Sequence, residues 1–155
     1  MEKILIGSWM PKECYEKHLD EFEFILPDKE KDTFNLEEIT ERIGDCIGVV
    51  SVLGLNKENI DAAKNLKAIA NMGAGYDQTD VAYASTRKLP VCNSAFSCSQ
   101  PTAEVAFTLM LCAMRRIAWY DRTIREKGWI PLIRFPESQE MPLSGKTVGI
   151  IGFGR

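Results

Sequence analysis

Five short apolar runs, each closed by a turn residue and separated from the next by a segment of helical character, set the architecture open to this chain. The runs are Lys3–Gly7 (KILIG), Phe22–Leu26 (FEFIL), Ile47–Leu53 (IGVVSVL), Leu66–Met72 (LKAIANM) and Leu89–Asn93 (LPVCN). They are continuous and rich in β-branched residues instead of alternating, which is the pattern of strands buried on both faces. Between them, PKECYEKHLDEF from Pro11 predicts a solvent-facing helix. LEEITERI follows Asn35, with Glu38 three residues on as its capping partner and Gly44 at the C-cap position. NKENIDAAKNL and TDVAYASTRK supply two more helical segments. Five such βα repeats imply an α/β fold with a parallel, doubly wound sheet.

From Pro101 the character changes. PTAEVAFTLMLCAMRRI is apolar on nearly every side, which predicts a helix starting near Pro101 and covered all round. Arg115 and Arg116 sit near its end, where cations suit the dipole, and Ala118 to Gly128 carries helical character onward. WIPLIRFPESQEMP holds three prolines and reads as a connector. A new apolar strand, KTVGII, then runs into Gly152-Phe153-Gly154-Arg155.

Several function classes fall away on composition. The formal net charge of -3 comes from acidic and basic residues mixed along the 155-residue chain, so no basic face is offered to nucleic acid. The five cysteines are odd in number and never form a CxxC pair, which points to a reducing cytoplasm. No signal-peptide core opens the chain, and the longest apolar stretch, Val105 to Met114, is too short to cross a bilayer.

Two glycine motifs carry the chemistry. Gly152-Phe153-Gly154-Arg155 opens a GxGxxG fingerprint in its required context, a strand entering a tight turn. The first glycine permits the turn and the second lets the backbone approach a pyrophosphate. Gly73-Ala74-Gly75 follows the fourth strand, where small side chains let successive amides close on an anion. The same residues also suit a plain glycine turn, with Asp77 and Asp80 starting the next helix.

NMGAGYDQTD, LPVCNSAFSCSQPTAEVAFTLMLCAMRRI and LSGKTVGIIGFGR, in that order, resemble the D-isomer-specific 2-hydroxyacid dehydrogenases over most of residues 66–155. The resemblance implies a flavodoxin-like substrate domain over 1–100, interdomain helices and connector over 101–144, and the truncated start of a Rossmann domain over 145–155. It implies that Ala74 and Gly75, supported by Gly73, bind the substrate carboxylate, and that Leu53 with Gly54 lines the substrate side. Thr102 matches a position near the nicotinamide ribose, although a hydroxyl there also suits helix capping, and Gly152, Gly154 and Arg155 face the cofactor. The family's catalytic arginine, histidine and carboxylate fall downstream of Arg155; the lone histidine, His18, reads as a surface residue. The implied activity is interconversion of a 2-oxo acid and a D-2-hydroxy acid with NAD or NADP, NAD favoured, in a cytoplasmic homodimer. The chain alone is then expected to be inactive. A standalone flavodoxin-like binding or regulatory module without catalysis is the alternative.

Overall fold

The computed structural model describes residues 1–129 and 142–154, and the chain divides into two units, Met1–Cys98 and Ser99–Arg155. In the first, β1 (Glu2–Ile6), β2 (Phe22–Ile25), β3 (Cys46–Ser51), β4 (Ala68–Asn71) and β5 (Val91–Asn93) form one all-parallel sheet. Its order is β2-β1-β3-β4-β5, the flavodoxin-like arrangement. All five strands coincide with the apolar runs to within two residues at their ends.

The returning segments are α1 (Leu36–Arg42), α2 (Lys57–Ala62) and α3 (Val81–Thr86). Each starts at a residue that satisfies orphan helix amides: the side chains of Asn35, Asn56 and Asp80 accept from the N–H of Glu38, Asn59 and Tyr83. In α1 the capping box is complete, since Glu38 Oε2 accepts from the Asn35 N–H at 3.0 Å. Register places Leu5, Val49, Ile69 and Val91 side by side on one face of the sheet. Ile39 of α1, Ile60 of α2 and Ala84 of α3 close over that row and are wholly buried. Burial of one such isoleucine contributes about 1.5–3 kcal/mol. The opposite face carries Ile4, Gly48, Ala68 and Ala70, none fully buried, with the Tyr15 ring against Phe24 at 5.2 Å between centroids and tilted by 49°.

Four local expectations need correction. The helix read from Pro11 is two short 3-10 turns, Lys12–Cys14 and Glu16–His18, neither with a buried residue. The packing of this segment amounts to Tyr15 against Phe24, with no residue of either turn buried, which is little to offset the cost of helix nucleation. Gly44 does follow the C-cap Ile43 directly, but without the positive φ that a left-handed glycine cap takes. The helix expected near Pro101 begins at Ala95 instead and runs to Met114 (α4), taking Pro101 inside it. Nor is it covered all round: Val105, Phe107 and Leu109 stand 57%, 56% and 62% exposed, because nothing among the described residues packs over them.

Arg116, at φ 52°, breaks the chain between α4 and α5 (Ile117–Lys127), which ends at Gly128 with φ 74°. Residues 147–151, read as a strand, pair with no other strand among the described residues, and Val148, Ile150 and Ile151 are exposed. A single extended segment has no ladder partner to satisfy its backbone. The proline-rich connector lies almost wholly outside the described residues. No described helix is long and apolar enough to cross a membrane.

Candidate functional site

Parallel strands in this order leave their ligand-binding crevices at the carboxyl ends, where the connecting loops begin. At that edge, the turn after β3 and the loop after β4 enclose a recess of about 280 Å³, lined by residues that include Val52, Gly54, Met72, Gly73, Gly75 and Asp77. Two features of the sequence build its walls. Gly54 lies so close to the neighbouring loop that a Cβ there would sit 2.0 Å from the Gln78 carbonyl, so only glycine lets the two loops meet. Gly73 has φ +129°, a backbone conformation that side chains strain, and it turns the chain out of β4.

The loop is fastened at both ends. Gly73 donates its N–H to Ser94 Oγ at 2.9 Å, and its carbonyl accepts from the Ser94 N–H at 2.9 Å. Asn93 Nδ2 donates to the Ala74 carbonyl at 2.7 Å. At the far end Thr79 donates its hydroxyl to Asn71 Oδ1 at 3.0 Å, and the Asp80 N–H reaches the Leu55 carbonyl at 2.9 Å. Between these points the N–H groups of Ala74 and Gly75 meet no acceptor among the described residues, and neither residue is buried. Two consecutive open amides on a fastened loop are free to bond to solvent or to a ligand. Asn71, itself buried, leaves its Nδ2 without a partner in the wall beneath.

Of the residues singled out from sequence, Gly73, Ala74 and Gly75 therefore come together on one loop. Leu53 stands beside the recess with its N–H on Ser51 Oγ at 3.1 Å, while Val52 and Gly54 supply the wall. Thr102 is exposed within α4, well past its start at Ala95, so it caps nothing. Gly152 has φ +90°, and nothing lies within 4 Å of a Cβ placed at Gly152 or Gly154. The left-handed φ accounts for the glycine at 152, while the space around both glycines is open among the described residues. Arg155 lies outside the described residues. His18 is exposed and 3.8 Å from Glu21, as a surface residue should be.

Asn93, Ser94, Asn71 and Thr79 do not stand out in the sequence. Their signal is polar side chains at the carboxyl ends of β4 and β5 and at the loop's return. Elsewhere a charge cluster joins α2 to α3: Asp61 accepts from Lys57, from Tyr83 and, at 2.9 Å, from Arg87. The Lys57 and Tyr83 hydrogen bonds hold the Asp61 carboxyl below its ordinary range. No cluster of metal-ligating side chains occurs among the described residues.

Against known proteins, residues 6–143 match the family model described as D-isomer specific 2-hydroxyacid dehydrogenase, catalytic domain. A protein of Staphylococcus haemolyticus assigned by name to the 2-hydroxyacid dehydrogenases is 38% identical, over 99% of this chain and 48% of its own length. Among solved structures, an NADPH-dependent glyoxylate/hydroxypyruvate reductase from Sinorhizobium meliloti, in complex with NADP and malonate, superposes with TM-score 0.78. It is 27% identical, over 99% of this chain and 46% of that one. An NAD+-bound 3-phosphoglycerate dehydrogenase from Entamoeba histolytica superposes with TM-score 0.61 at 27% identity, over 74% of this chain and 39% of that one. The chain thus spans about half the length of the relatives it matches.

Proposed function

The chain belongs to the D-isomer specific 2-hydroxyacid dehydrogenase family, and we propose that the whole protein interconverts a 2-oxo acid and the corresponding D-2-hydroxy acid. The observation that carries this reading is the pair of open amides at Ala74 and Gly75, held at the mouth of a small recess by Asn93 and Ser94. A substrate carboxylate seated there accepts both N–H bonds. Hydrogen bonds to a charged group contribute about 1.5–3 kcal/mol each, enough to fix the orientation of a small acid. Gly73 sets the turn, and Leu53 with Gly54 backs the substrate side.

Family membership brings a nicotinamide cofactor, which when bound supplies or takes up the hydride. Thr102 is assigned to its ribose side and Gly152, Gly154 and Arg155 to its pyrophosphate, with NAD preferred to NADP. On this reading residues 1–100 are the substrate domain, 101–144 the interdomain helices and connector, and 145–155 the start of the cofactor domain. The catalytic arginine, histidine and carboxylate are assigned to sequence beyond position 155. The whole protein works in the cytoplasm as a homodimer, with the apolar residues of α4 covered in the assembly.

The test is NADH and NADPH oxidation by the full-length protein with glyoxylate, hydroxypyruvate and pyruvate. Oxidation is expected, and Gly75→Val, which crowds the open amides, should raise KM at least tenfold. Absence of turnover with every acid and both coenzymes would overturn the assignment. A full-length protein that binds these acids and oxidises neither coenzyme would be a binding module.

A further inference from the structure

We propose that Asn93 is a positioning residue for the carboxylate of the acid, because its side chain aims the Gly75 N–H through the Ala74 carbonyl. The inference rests on the assignment of Ala74 and Gly75 as the carboxylate site. It adds which side chain sets the direction of a donor there.

A peptide unit is planar, and in its trans form the N–H points opposite to the C=O. The Ala74 N–H therefore lies across one plane from the Gly73 carbonyl, and the Gly75 N–H across the next plane from the Ala74 carbonyl. Both carbonyls are held from the end of β5. Gly73 O accepts from the Ser94 N–H at 2.9 Å, and Ala74 O accepts from Asn93 Nδ2 at 2.7 Å. The two open N–H groups are thereby turned away from the groups that hold their carbonyls. Asn93 is the last residue of β5 and pairs in register with Asn71 of β4, so the sheet fixes the backbone from which its side chain reaches.

The two holds differ in kind. Ser94 reaches the Gly73 carbonyl through its backbone, so no side-chain exchange short of proline removes that bond. Its hydroxyl does accept a loop amide, but that of Gly73, which is not one of the open pair. Asn93 reaches the Ala74 carbonyl through its side-chain amide, so the identity of residue 93 decides whether the second plane is pinned. The same bond polarises the peptide on which it lands, which makes the Gly75 N–H a stronger donor. Asn93 and Ala74 are both exposed, so water competes for this bond, and its loss should weaken acid binding severalfold and no more. A carboxylate keeps its charge throughout hydride transfer, so donors on it act equally on the bound acid and on the transition state. Losing their aim therefore raises KM and leaves kcat nearly unchanged.

The experiment uses the full-length protein as wild type, Asn93→Ala, Gly75→Val and the double variant, with whichever of glyoxylate, hydroxypyruvate and pyruvate the wild type turns over fastest. Asn93→Ala should raise KM about fivefold and keep kcat within about twofold. Because both changes act on one N–H, the double variant should have the KM of Gly75→Val alone, whereas a residue that only staples β5 to the loop would multiply the two losses. In labelled free protein, Asn93→Ala should shift the Gly75 amide nitrogen more than that of Ala74. Unchanged KM, a kcat that falls as far as KM rises, multiplied losses, or equal shifts at both amides would each overturn the role of Asn93 and leave the dehydrogenase assignment standing. If the wild type turns over no acid, the dehydrogenase assignment fails, and glyoxylate dissociation constants read from the Gly75 shift decide the rest. Severalfold weaker binding in Asn93→Ala then supports the positioning role, while equal binding or none overturns it.

Discussion

Ile39, Ile60 and Ile69 in the first unit are wholly buried, whereas Val105, Phe107 and Leu109 in the second stand more than half exposed. The exposed set comes from the more apolar stretch, since Ile39 and Ile60 sit among charged residues in LEEITER and KENIDA. The difference is one of layers. In the first unit a sheet face and three helices close on each other, which is the smallest arrangement that removes an apolar face from water. In the second, α4 and α5 present apolar residues with no described layer over them. Apolar sequence therefore specifies that a residue ought to be buried, but a facing layer determines whether it is.

The largest expected effect tests this contrast directly. Ile60→Ala, at a site with no exposure, should lower stability by about 2–5 kcal/mol in urea unfolding, and Leu109→Ala should change it by no more than about 0.5 kcal/mol. Equal losses would mean that the second unit has a core of its own, and the contrast would break. Next comes Gly54→Ala, for which a backbone carbonyl stands in the way; about 1–3 kcal/mol should be lost, with displacement of the loop around Gln78 visible in its amide shifts. A tolerated alanine would show that the recess wall is pliable.

Smaller still is Asn35→Ala, which removes the acceptor for the Glu38 N–H and should cost about 1 kcal/mol, read in the same unfolding series. The mildest test concerns the clamp between α2 and α3. Because Asp61 titrates below its ordinary range in the folded protein, its contribution is complete above the normal carboxylate pKa, about 4, and fades as pH falls through the lowered value. Wild type should therefore unfold at higher urea than Asp61→Asn at pH 7, and the two midpoints should converge towards pH 3. A gap that persists in acid would mean that the clamp acts through shape instead of charge. These are surface groups, so the gap should be small and shrink with salt.

Much of the first unit is legible in the order of its residues. The five apolar runs locate the five strands, and the Asn35–Glu38 spacing marks the start of α1. Local pattern fails where packing overrules it. The charged stretch after Pro11 has helical propensity but buries no residue of its own, and becomes 3-10 turns. Pro101 has the character of a first-turn residue, yet α4 has already begun at Ala95. In the site, the glycine loop is visible as a motif, but its fastenings are not: Ser94 lies 21 residues from Gly73, and Asn93 lies 19 from Ala74.

By itself, the sequence determined the parallel α/β layout, the start of α1 and the small-residue loop after β4, because those depend on periodicity and on contacts a few residues apart. Only the tertiary structure decided which amides of that loop are committed and which stay open. The reason is the parallel sheet, which sets the carboxyl ends of β4 and β5 side by side and so brings Asn93 and Ser94 against a loop that ends well before them in the chain. The same holds for Gly54, whose need for glycine arises from the backbone of Gln78 and not from its own turn.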